Sequence, residues 1–235
     1  MTDNQALVII PARGGSKGIP RKNIKEFCGR PLIHYSIDVA RAVAPDSHII
    51  LSTDDDEIRL CGEGIGLPVP YRRPEALGGD RVGSREVILD AMGWADRQGL
   101  IYNKVVLLQP TSPLRTVSDV EGCLELYTPD CDMVVSVAEA PCNPYYDCFE
   151  TRQDGTLHVS KGDGRLTRRQ DAPKAWQFNG AVYVINPESV RRMSLGEFPR
   201  RIPYEMPRSR SVDLDTPLDW TIAETITQNL QNHAD

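Results

Sequence analysis

The stretch Val8-Ile-Ile-Pro-Ala-Arg13-Gly14-Gly15-Ser16-Lys17-Gly18-Ile-Pro20-Arg21-Lys22-Asn23 changes abruptly from an apolar run to glycines, cations and hydrogen-bonding side chains. The apolar run from Ala6 to Ala12 predicts a buried strand of a parallel sheet. Glycines let a backbone approach an anion closely, and the cations and donors around them suit phosphate oxygens. Because open α/β sheets bind ligands where their strands end, we expect a site for several phosphates directly after this strand.

Two common phosphate-binding loops do not match this stretch. A Walker A loop needs Gly-Lys-Ser/Thr after its spacer, whereas the order here is Ser16-Lys17-Gly18. The dinucleotide fingerprint G-x-G-x-x-G is absent, and the nearest cluster, Gly62-Glu-Gly64-Ile-Gly66, has the wrong spacing and is interpreted as a helix exit. A basic surface turn stays open as the alternative to a phosphate site.

Outward from this stretch, strand and helix patterns alternate. Helices are predicted over Leu32 to Val43, Ser84 to Gln98 and Val117 to Tyr127, and strands over His48 to Ser52, Lys104 to Gln109 and Met133 to Val137. Asp54-Asp55-Asp56 is interpreted as a helix cap rather than a metal site. The series predicts an α/β fold with a doubly wound, mainly parallel sheet.

The amino-acid composition and the pattern of predicted elements change at Pro141. Prolines, tyrosines and Asp154-Gly155, a hairpin signal between two short strand-like runs, predict a small protruding β-lobe over 141–176. A strand over Gly180 to Ile185, a short helix over Pro187 to Met193 and a helix from Pro217 to Leu230 follow. The 235 residues suit one domain, 1–235, that includes the lobe.

Composition narrows the classes of partner. A net charge of -6 gives no electrostatic case for nucleic acid or acidic membranes. No apolar stretch approaches the roughly 20 residues that span a bilayer, and the start at Thr2-Asp3-Asn4 is polar, so we expect a cytoplasmic protein. The six cysteines show neither zinc nor disulfide spacing and are expected to be reduced core residues.

Two later motifs carry ligand-binding side chains. Gln109-Pro-Thr-Ser-Pro-Leu-Arg115 follows an apolar strand, and its prolines predict a rigid loop that reads a ligand, with a capped turn as the alternative. On a strand, Asp213-Leu-Asp215 would direct both carboxylates to one face, where they suit a hard divalent cation. The alternative is a helix cap, because Asp215 and Thr216 directly precede Pro217.

Two further segments bracket a proline turn near the end of the lobe. They are Thr167-Arg168-Arg169-Gln170 and Phe178-Asn179-Gly180-Ala181. They suit either a solvent-exposed basic turn or a site that binds the carboxylate of a substrate. No nucleophile, histidine and acid combine into a catalytic arrangement; His34 is interpreted as a core residue, and no partner is predicted for His48, His158 or His233. This fits a reaction that runs by positioning and electrostatics.

Four motifs together resemble the acylneuraminate cytidylyltransferases, the CMP-sialic acid synthetases. They are Ile10-Pro-Ala-Arg13-Gly-Gly-Ser16-Lys17-Gly-Ile-Pro-Arg-Lys22-Asn23, whose part from Ala12 to Asn23 is called the first loop, Gln109-Pro-Thr-Ser-Pro-Leu-Arg115, Arg169-Gln170 with Asn179-Gly180-Ala181, and Asp213-Leu-Asp215. The motifs occur in that family's order and span nearly the whole chain. The resemblance implies a nucleotide-diphospho-sugar transferase type of fold, a homodimer whose lobe reaches the partner's active site, and a need for Mg²⁺ or Mn²⁺. The implied reaction converts CTP and a nine-carbon 2-keto sugar acid into the CMP-sugar and pyrophosphate.

The resemblance also implies residue roles. Asp213 and Asp215 would hold the metal and, with Arg13 and Lys22, form the catalytic set. The nucleotide would be bound by Arg13, Gly15, Ser16, Lys17, Lys22, Asn23, Arg73, Ser84 and Gln109. The sugar would be bound by Gln109, Arg169, Gln170 and Asn179.

This chain departs from the family pattern at two places. Leu77-Gly78-Gly79-Asp80 stands where the family often shows Leu-Ala-x-Asp, and the Arg common just before Asn-Gly-Ala is absent from Trp176-Gln177-Phe178-Asn179. The second departure leaves the sugar open between neuraminate, legionaminate and pseudaminate. Octulosonate enzymes differ in the first loop, where Lys17-Gly-Ile-Pro-Arg-Lys22-Asn23 fits the nine-carbon branch better. A non-catalytic module that binds CTP or a CMP-sugar is the alternative from another class.

Overall fold

The structure is a computed structural model that describes residues 5–232. The polar start at residues 2–4 and His233 lie outside the described residues. The strands are β1 (Ala6–Pro11), β2 (Glu26–Phe27), β3 (Arg30–Pro31), β4 (Ile49–Ser52), β5 (Lys104–Leu107), β6 (Met133–Glu139), β7 (Phe149–Thr151), β8 (Leu157–Val159), β9 (Trp176–Ile185) and β10 (Arg201–Glu205). The α-helices are α1 (Leu32–Val43), α2 (Asp56–Glu63), α3 (Ser84–Arg97), α4 (Val117–Leu126), α5 (Pro187–Arg192) and α6 (Pro217–Asn232).

Six strands form one sheet in the order β10-β6-β9-β5-β1-β4. β1 pairs in parallel with β4 and β5, and β10 pairs in parallel with β6, which confirms the mainly parallel α/β fold. β9 alone runs antiparallel, between β5 and β6. The lobe explains this direction, because the chain leaves β6 at its carboxyl end and returns to the sheet from that same end. β10 is not predicted by the sequence, since its exposed, charged and proline-containing residues give the weak signal of an edge strand.

Helices cover both faces of the sheet. Alternate residues of β1 point to opposite sides, so Val8 and Ile10 pack with α1 and its neighbours, whereas Leu7 and Ile9 pack with α3 and α5. All four side chains are fully buried. The doubly wound arrangement follows from these two apolar layers.

The lobe is built around a hairpin that lies away from these cores. β7 and β8 pair antiparallel with Phe149 opposite Val159, which confirms the hairpin predicted at Asp154-Gly155. Phe149 and Leu157 nevertheless remain 54% and 64% exposed. The two ends of the lobe are joined by a hydrogen bond, in which the Asn143 side-chain amide donates to the Pro173 carbonyl at 2.8 Å.

Two other sequence expectations meet the structure here. All six cysteines are free; Cys123 and Cys131 are buried as expected, but Cys142 is exposed. Within residues 5–232, no helix has the length and apolar character needed to cross a membrane.

Candidate active site

The first loop leaves β1 at the carboxyl edge of the sheet and is braced by two side chains. The buried Asn23 donates from its amide to the Arg13 carbonyl at 3.0 Å. The Gly14 amide donates to the Asp54 carboxylate at 3.0 Å. A Cβ on Gly14 would fall 2.7 Å from an oxygen of Asp55, whereas a Cβ on Gly15 would meet nothing within 4 Å. Asn23 therefore shapes the loop from beneath, and Gly15 lies at its open surface.

Most cations of this loop are paired with carboxylates. Arg13 and Lys17 both pair with Asp80, and Arg21 pairs with Asp55 and Glu57. Hydrogen bonds from Lys17 and then Arg13 hold the pKa of Asp80 below its usual range. The acidic partners of these cations are the exposed Asp80 and Glu57 and the half-buried Asp55.

The segment around Asp213 lies directly against the first loop. Lys22 donates to the Leu214 carbonyl and lies 3.7 Å from the Asp215 carboxylate. A Cβ on Gly18 would fall only 2.1 Å from the Asp215 carbonyl oxygen, so glycine is required for this close approach. The structure thus brings together residues 18–22 and 213–215, from opposite ends of the chain.

Asp213 and Asp215 do not lie on a strand, and that expectation was wrong: residues 211–215 have no regular structure. The segment is fixed instead by the buried Leu214, which packs with Phe27 and Trp220. Both carboxylates still line one cavity, of about 700 Å³. The capping alternative is confirmed for Thr216, which exchanges with Asp219 the hydrogen bonds that start α6, and Asp215 takes no part in that exchange.

Asp213 is the most unusual acid of this site. Its Oδ1 atom is buried without a hydrogen-bond partner, although the side chain also accepts from Thr111. Burial is the main cause that raises the pKa of Asp213, and the nearby Asp215 adds to it. A bound cation would satisfy the orphaned oxygen and favour the ionised form.

The donor set fits a hard divalent ion bound together with a phosphate ligand. Mg²⁺ usually takes one or two carboxylates and fills its shell with phosphate oxygens and water. Among the residues the structure describes, no group of three or more His, Cys, Asp or Glu side chains converges on one point. Asp213 and Asp215 therefore suit a shared ion between protein and substrate rather than a closed structural site.

The Gln109 loop differs in part from its expected role. Gln109 lies beside the ligand cavities, but Arg115 is buried and donates to the carbonyls of Gln109 and Ser112 at 2.6 and 2.9 Å. Arg115 therefore holds the loop from inside the protein, where burial lowers its pKa, and does not face a ligand.

Asn179 and Gly180 connect the Gln109 loop to Asp213. Ser112 donates to the Asn179 carbonyl at 3.2 Å, and the Asn179 amide donates to Ser211 at 2.9 Å. Gly180 has φ of 74°, and a Cβ there would lie 3.2 Å from both Asp213 Oδ2 and Gln109 Oε1. Asn179 is thus a buried brace beneath the site, and Gly180 keeps the space between the two side chains open.

A smaller cavity of about 180 Å³ adjoins Arg13 at the start of α3 and is lined by Pro11, Arg13, Arg73, Val82, Gly83, Ser84, Val87 and Leu107. Arg73 is buried and donates to the Ser52 hydroxyl and carbonyl at 3.0 and 2.7 Å. Ser84 also borders a mainly apolar cavity of about 260 Å³ beside Gln109 and Tyr183. Arg73, Ser84 and Gln109, expected around the nucleotide, therefore lie along one continuous edge of the sheet.

Arg169 and Gln170 stand apart from this group. Both lie in an exposed 3₁₀ turn, and Arg169 lines a separate cavity of about 400 Å³. Its guanidinium donates to the carbonyls of Ala140 and Pro141 at 3.2 and 2.8 Å. A larger cavity, of about 990 Å³, surrounds Tyr102 and Arg191 and contains none of the predicted site residues.

Comparison with known proteins identifies the family of this chain. The sequence pattern of the family described as Cytidylyltransferase matches residues 7–145. The chain is 28% identical over 223 residues to CMP-N,N'-diacetyllegionaminic acid synthase of Legionella pneumophila, with 94% of this chain and 96% of that protein covered. It is 30% identical over 220 residues to pseudaminic acid cytidylyltransferase of Campylobacter jejuni, with 94% and 95% covered.

Two other proteins extend the comparison. N-acylneuraminate cytidylyltransferase of Streptococcus agalactiae is 34% identical over 220 residues, which cover 91% of this chain and 51% of that protein. A structure of CMP:2-keto-3-deoxy-manno-octonic acid synthetase complexed with CTP superposes with a TM-score of 0.69 at 15% identity, over 96% of this chain and 99% of that one. The last match concerns the fold alone. The chain belongs to the cytidylyltransferase family.

Proposed function

We propose that this cytidylyltransferase transfers CMP from CTP to the anomeric hydroxyl of a nine-carbon 2-keto sugar acid, N-acetylneuraminate or a related nonulosonate, and releases pyrophosphate. The observation that carries the proposal is the contact between two chain segments. Lys22 of the first loop reaches Leu214 and Asp215, next to the orphaned Oδ1 of Asp213. A cationic loop beside two carboxylates suits a triphosphate that is bound together with a divalent cation.

The reaction needs positioning and charge neutralisation. The sugar hydroxyl oxygen forms a bond to the α-phosphorus while the bond from that phosphorus to the oxygen bridging to the β-phosphate breaks. The electron pair leaves with pyrophosphate, and the hydroxyl proton passes to solvent. Arg13 and Lys22 would bind phosphate oxygens and neutralise the charge that grows on the leaving group.

Asp213 and Asp215 would hold Mg²⁺ or Mn²⁺. When bound there, the metal would neutralise triphosphate charge and make the α-phosphorus a better electrophile. Asp213 is the stronger candidate for a direct ligand, because its Oδ1 is buried and lacks a hydrogen bond. Asp215 is 75% exposed and would reach the ion from the solvent side of the cavity.

Two cavities near the proposed metal site would hold the organic parts of the substrates. The cavity with Arg73 and Ser84 would take part of the nucleoside. The apolar cavity beside Gln109, lined by Phe178 and Tyr183 among others, would accept acyl groups of the sugar. The names of the relatives support a nonulosonate as substrate and leave neuraminate, legionaminate and pseudaminate as the candidates.

A homodimer would complete the molecule. The lobe hairpin exposes Phe149 and Leu157 and packs on neither face of the main sheet, and an isolated hairpin is marginally stable in water. We expect a second copy to cover this surface. Sedimentation of the purified chain would give twice the mass of 26.2 kDa, and a monomer at micromolar concentration would contradict this part of the proposal.

The decisive experiment measures pyrophosphate release with CTP and Mg²⁺ against a panel of neuraminic, legionaminic, pseudaminic and octulosonic acids. Turnover with a nine-carbon acid supports the proposal and identifies the sugar. Preference for the octulosonic acid would assign the related reaction. CTP binding without pyrophosphate release in any mixture would instead indicate a non-catalytic nucleotide-binding module.

A further inference from the structure

Arg208 is a cation of the candidate site that no sequence motif singles out. It begins the 3₁₀ turn Arg208–Arg210, between β10 and Asp213. Its guanidinium donates to the Glu139 carbonyl at 3.3 Å. Within residues 5–232, no carboxylate oxygen lies within the 4.0 Å of an ion pair with it. Arg208 is also exposed, and within residues 5–232 its charge is not neutralised by an ion pair.

The position of Arg208 links two cavities. It lines the cavity of about 700 Å³ that holds Asp213 and Asp215, and also the neighbouring cavity of about 400 Å³ that holds Arg169. Among the charged residues that line the larger of the two cavities, Arg208 is the one cation, and the others are the acids Glu139, Asp213, Asp215 and Asp219.

The chemistry of a 2-keto sugar acid places an anion at this position. The carboxylate carbon is bonded directly to the anomeric carbon, whose hydroxyl attacks the α-phosphorus. A cation that binds this carboxylate must therefore lie next to the reacting centre, in the cavity of Asp213 and Asp215. Guanidinium is suited to the task because it can donate two parallel hydrogen bonds to one carboxylate.

Arg169 meets these requirements less well. It lines only the neighbouring cavity of the two, and its guanidinium is already engaged by two backbone carbonyls. It also lies 3.9 Å from the Asp147 carboxylate, which neutralises part of its charge. Binding a substrate carboxylate would require Arg169 to exchange these partners, whereas Arg208 would give up a single hydrogen bond of 3.3 Å.

The turn that carries Arg208 is firmly attached. Arg210 binds the buried Asp119 of α4 through two hydrogen bonds of 2.8 and 3.0 Å. Ser211 donates to the Pro207 carbonyl at 2.9 Å and accepts from the Asn179 amide. These contacts hold the backbone of Arg208 in place before a substrate arrives, which reduces the ordering cost of binding.

We propose that Arg208 binds the carboxylate of the sugar acid, an inference that rests on the function proposed above. The test compares steady-state kinetics of the wild type with Arg208→Ala, Arg208→Lys and Arg169→Ala. Arg97→Ala serves as the matched control, since Arg97 is an exposed arginine on α3 that lines none of these cavities. Thermal melting of each variant shows whether the fold is kept.

We expect Arg208→Ala to raise KM for the sugar acid by about tenfold or more, as for the loss of a charge-assisted pair, with KM for CTP within about twofold of wild type. Arg208→Lys should lie between the two, because it keeps the charge and loses the paired geometry. Arg169→Ala should have the smaller effect of the two alanine variants. A structural role would instead lower the melting temperature and change both constants together.

Three results would overturn the inference and leave the proposed function standing. They are an unchanged sugar KM in Arg208→Ala, a rise confined to CTP, and an equal rise in both constants while the wild type turns over. An inactive wild type with every sugar acid of the panel would overturn the proposed function, and this inference with it.

Discussion

The two halves of the candidate site are charged in opposite ways and are also satisfied differently. In the first loop, Arg13 and Lys17 already pair with the exposed Asp80, and Arg21 pairs with the half-buried Asp55 and the exposed Glu57. In the facing segment, Asp213 is half-buried, and its Oδ1 atom is buried without a hydrogen-bond partner. If substrate binds as proposed, the first loop would exchange its partners, whereas Asp213 has room for a partner that the described residues do not supply.

This difference has an energetic consequence. Exposed ion pairs contribute little to stability, so a triphosphate can replace Asp80 at small cost. A buried oxygen without a partner is unfavourable by about 1–3 kcal/mol, and a cation at Asp213 would recover that free energy. The acidic half should therefore dominate catalysis, and the basic half should tune nucleotide affinity.

The largest effect should come from the acidic half. We expect Asp213→Asn and Asp215→Asn each to reduce turnover by at least about 10²-fold while the fold is kept, because each change removes a candidate metal ligand. Asp213→Asn should leave stability equal or higher, since a buried charge disappears. Turnover across a Mg²⁺ titration and thermal melting measure both, with the exposed Asp130→Asn as control. Near-normal activity at low Mg²⁺ would refute the metal assignment.

A second substitution tests whether the halves meet as described. Gly180→Ala places a Cβ at a positive φ and between Asp213 and Gln109, so we expect a stability loss of about 1–2 kcal/mol and lower turnover. Urea unfolding and pyrophosphate release measure the two effects. Gly155→Ala is the matched control, because it has φ of 84° but open space around a Cβ. Equal turnover in the two variants would mean that the space beside Asp213 is not used.

Within the basic half, burial should rank the cations. Lys22 has a side chain only 12% exposed, whereas that of Lys17 is 82% exposed. We expect Lys22→Ala to weaken transition-state binding by roughly 1.5–3 kcal/mol, Arg13→Ala by a similar amount, and Lys17→Ala by clearly less. The comparison uses kcat/KM for CTP. If Lys17→Ala were as harmful as Lys22→Ala, exposure would not decide the contribution of a cation here.

The smallest effect should come from the acid that occupies the basic half. Asp80→Asn removes the carboxylate that pairs with Arg13 and Lys17, so we expect KM for CTP to fall by a few-fold at low salt and the gain to fade at high salt. Asp56→Asn is the control, because Asp56 pairs with Arg72 outside the loop. A large loss of activity in Asp80→Asn would show that Asp80 has a direct role in substrate binding.

The sequence predicts the parts of this molecule that depend on local patterns. The apolar periodicity of Leu32 to Val43 gives the bounds of α1, and Asp55 caps α2 as expected. The antiparallel direction of β9 depends on how the lobe returns to the sheet, and no local pattern records it. Arg115 appears in a polar loop motif, yet the three-dimensional packing places it in the interior.

In the candidate site, too, local sequence patterns point to some residues and miss others. The density of cations and glycines after β1 and the spacing of Asp213 and Asp215 point to two segments that the structure brings into contact, although the second lies on an irregular segment. Arg208 escapes a sequence search, because an isolated arginine after a proline resembles any surface cation. Only the cavity that it shares with Asp213 distinguishes it.

The contact of Gly18 with the Asp215 carbonyl has a consequence for synthesis on the ribosome. Most strands of the main sheet precede residue 186 in the chain, but the site closes only when the last helix docks, with Trp220 packed edge-on against Phe27 at 5.3 Å. A nascent chain in which α6 has not yet docked would thus hold the cavity beside Arg73, which is the proposed nucleoside pocket, without the two carboxylates in place. The proposed metal site would therefore form later than the proposed nucleoside pocket, and docking of α6 would be the step that completes the catalytic arrangement proposed here.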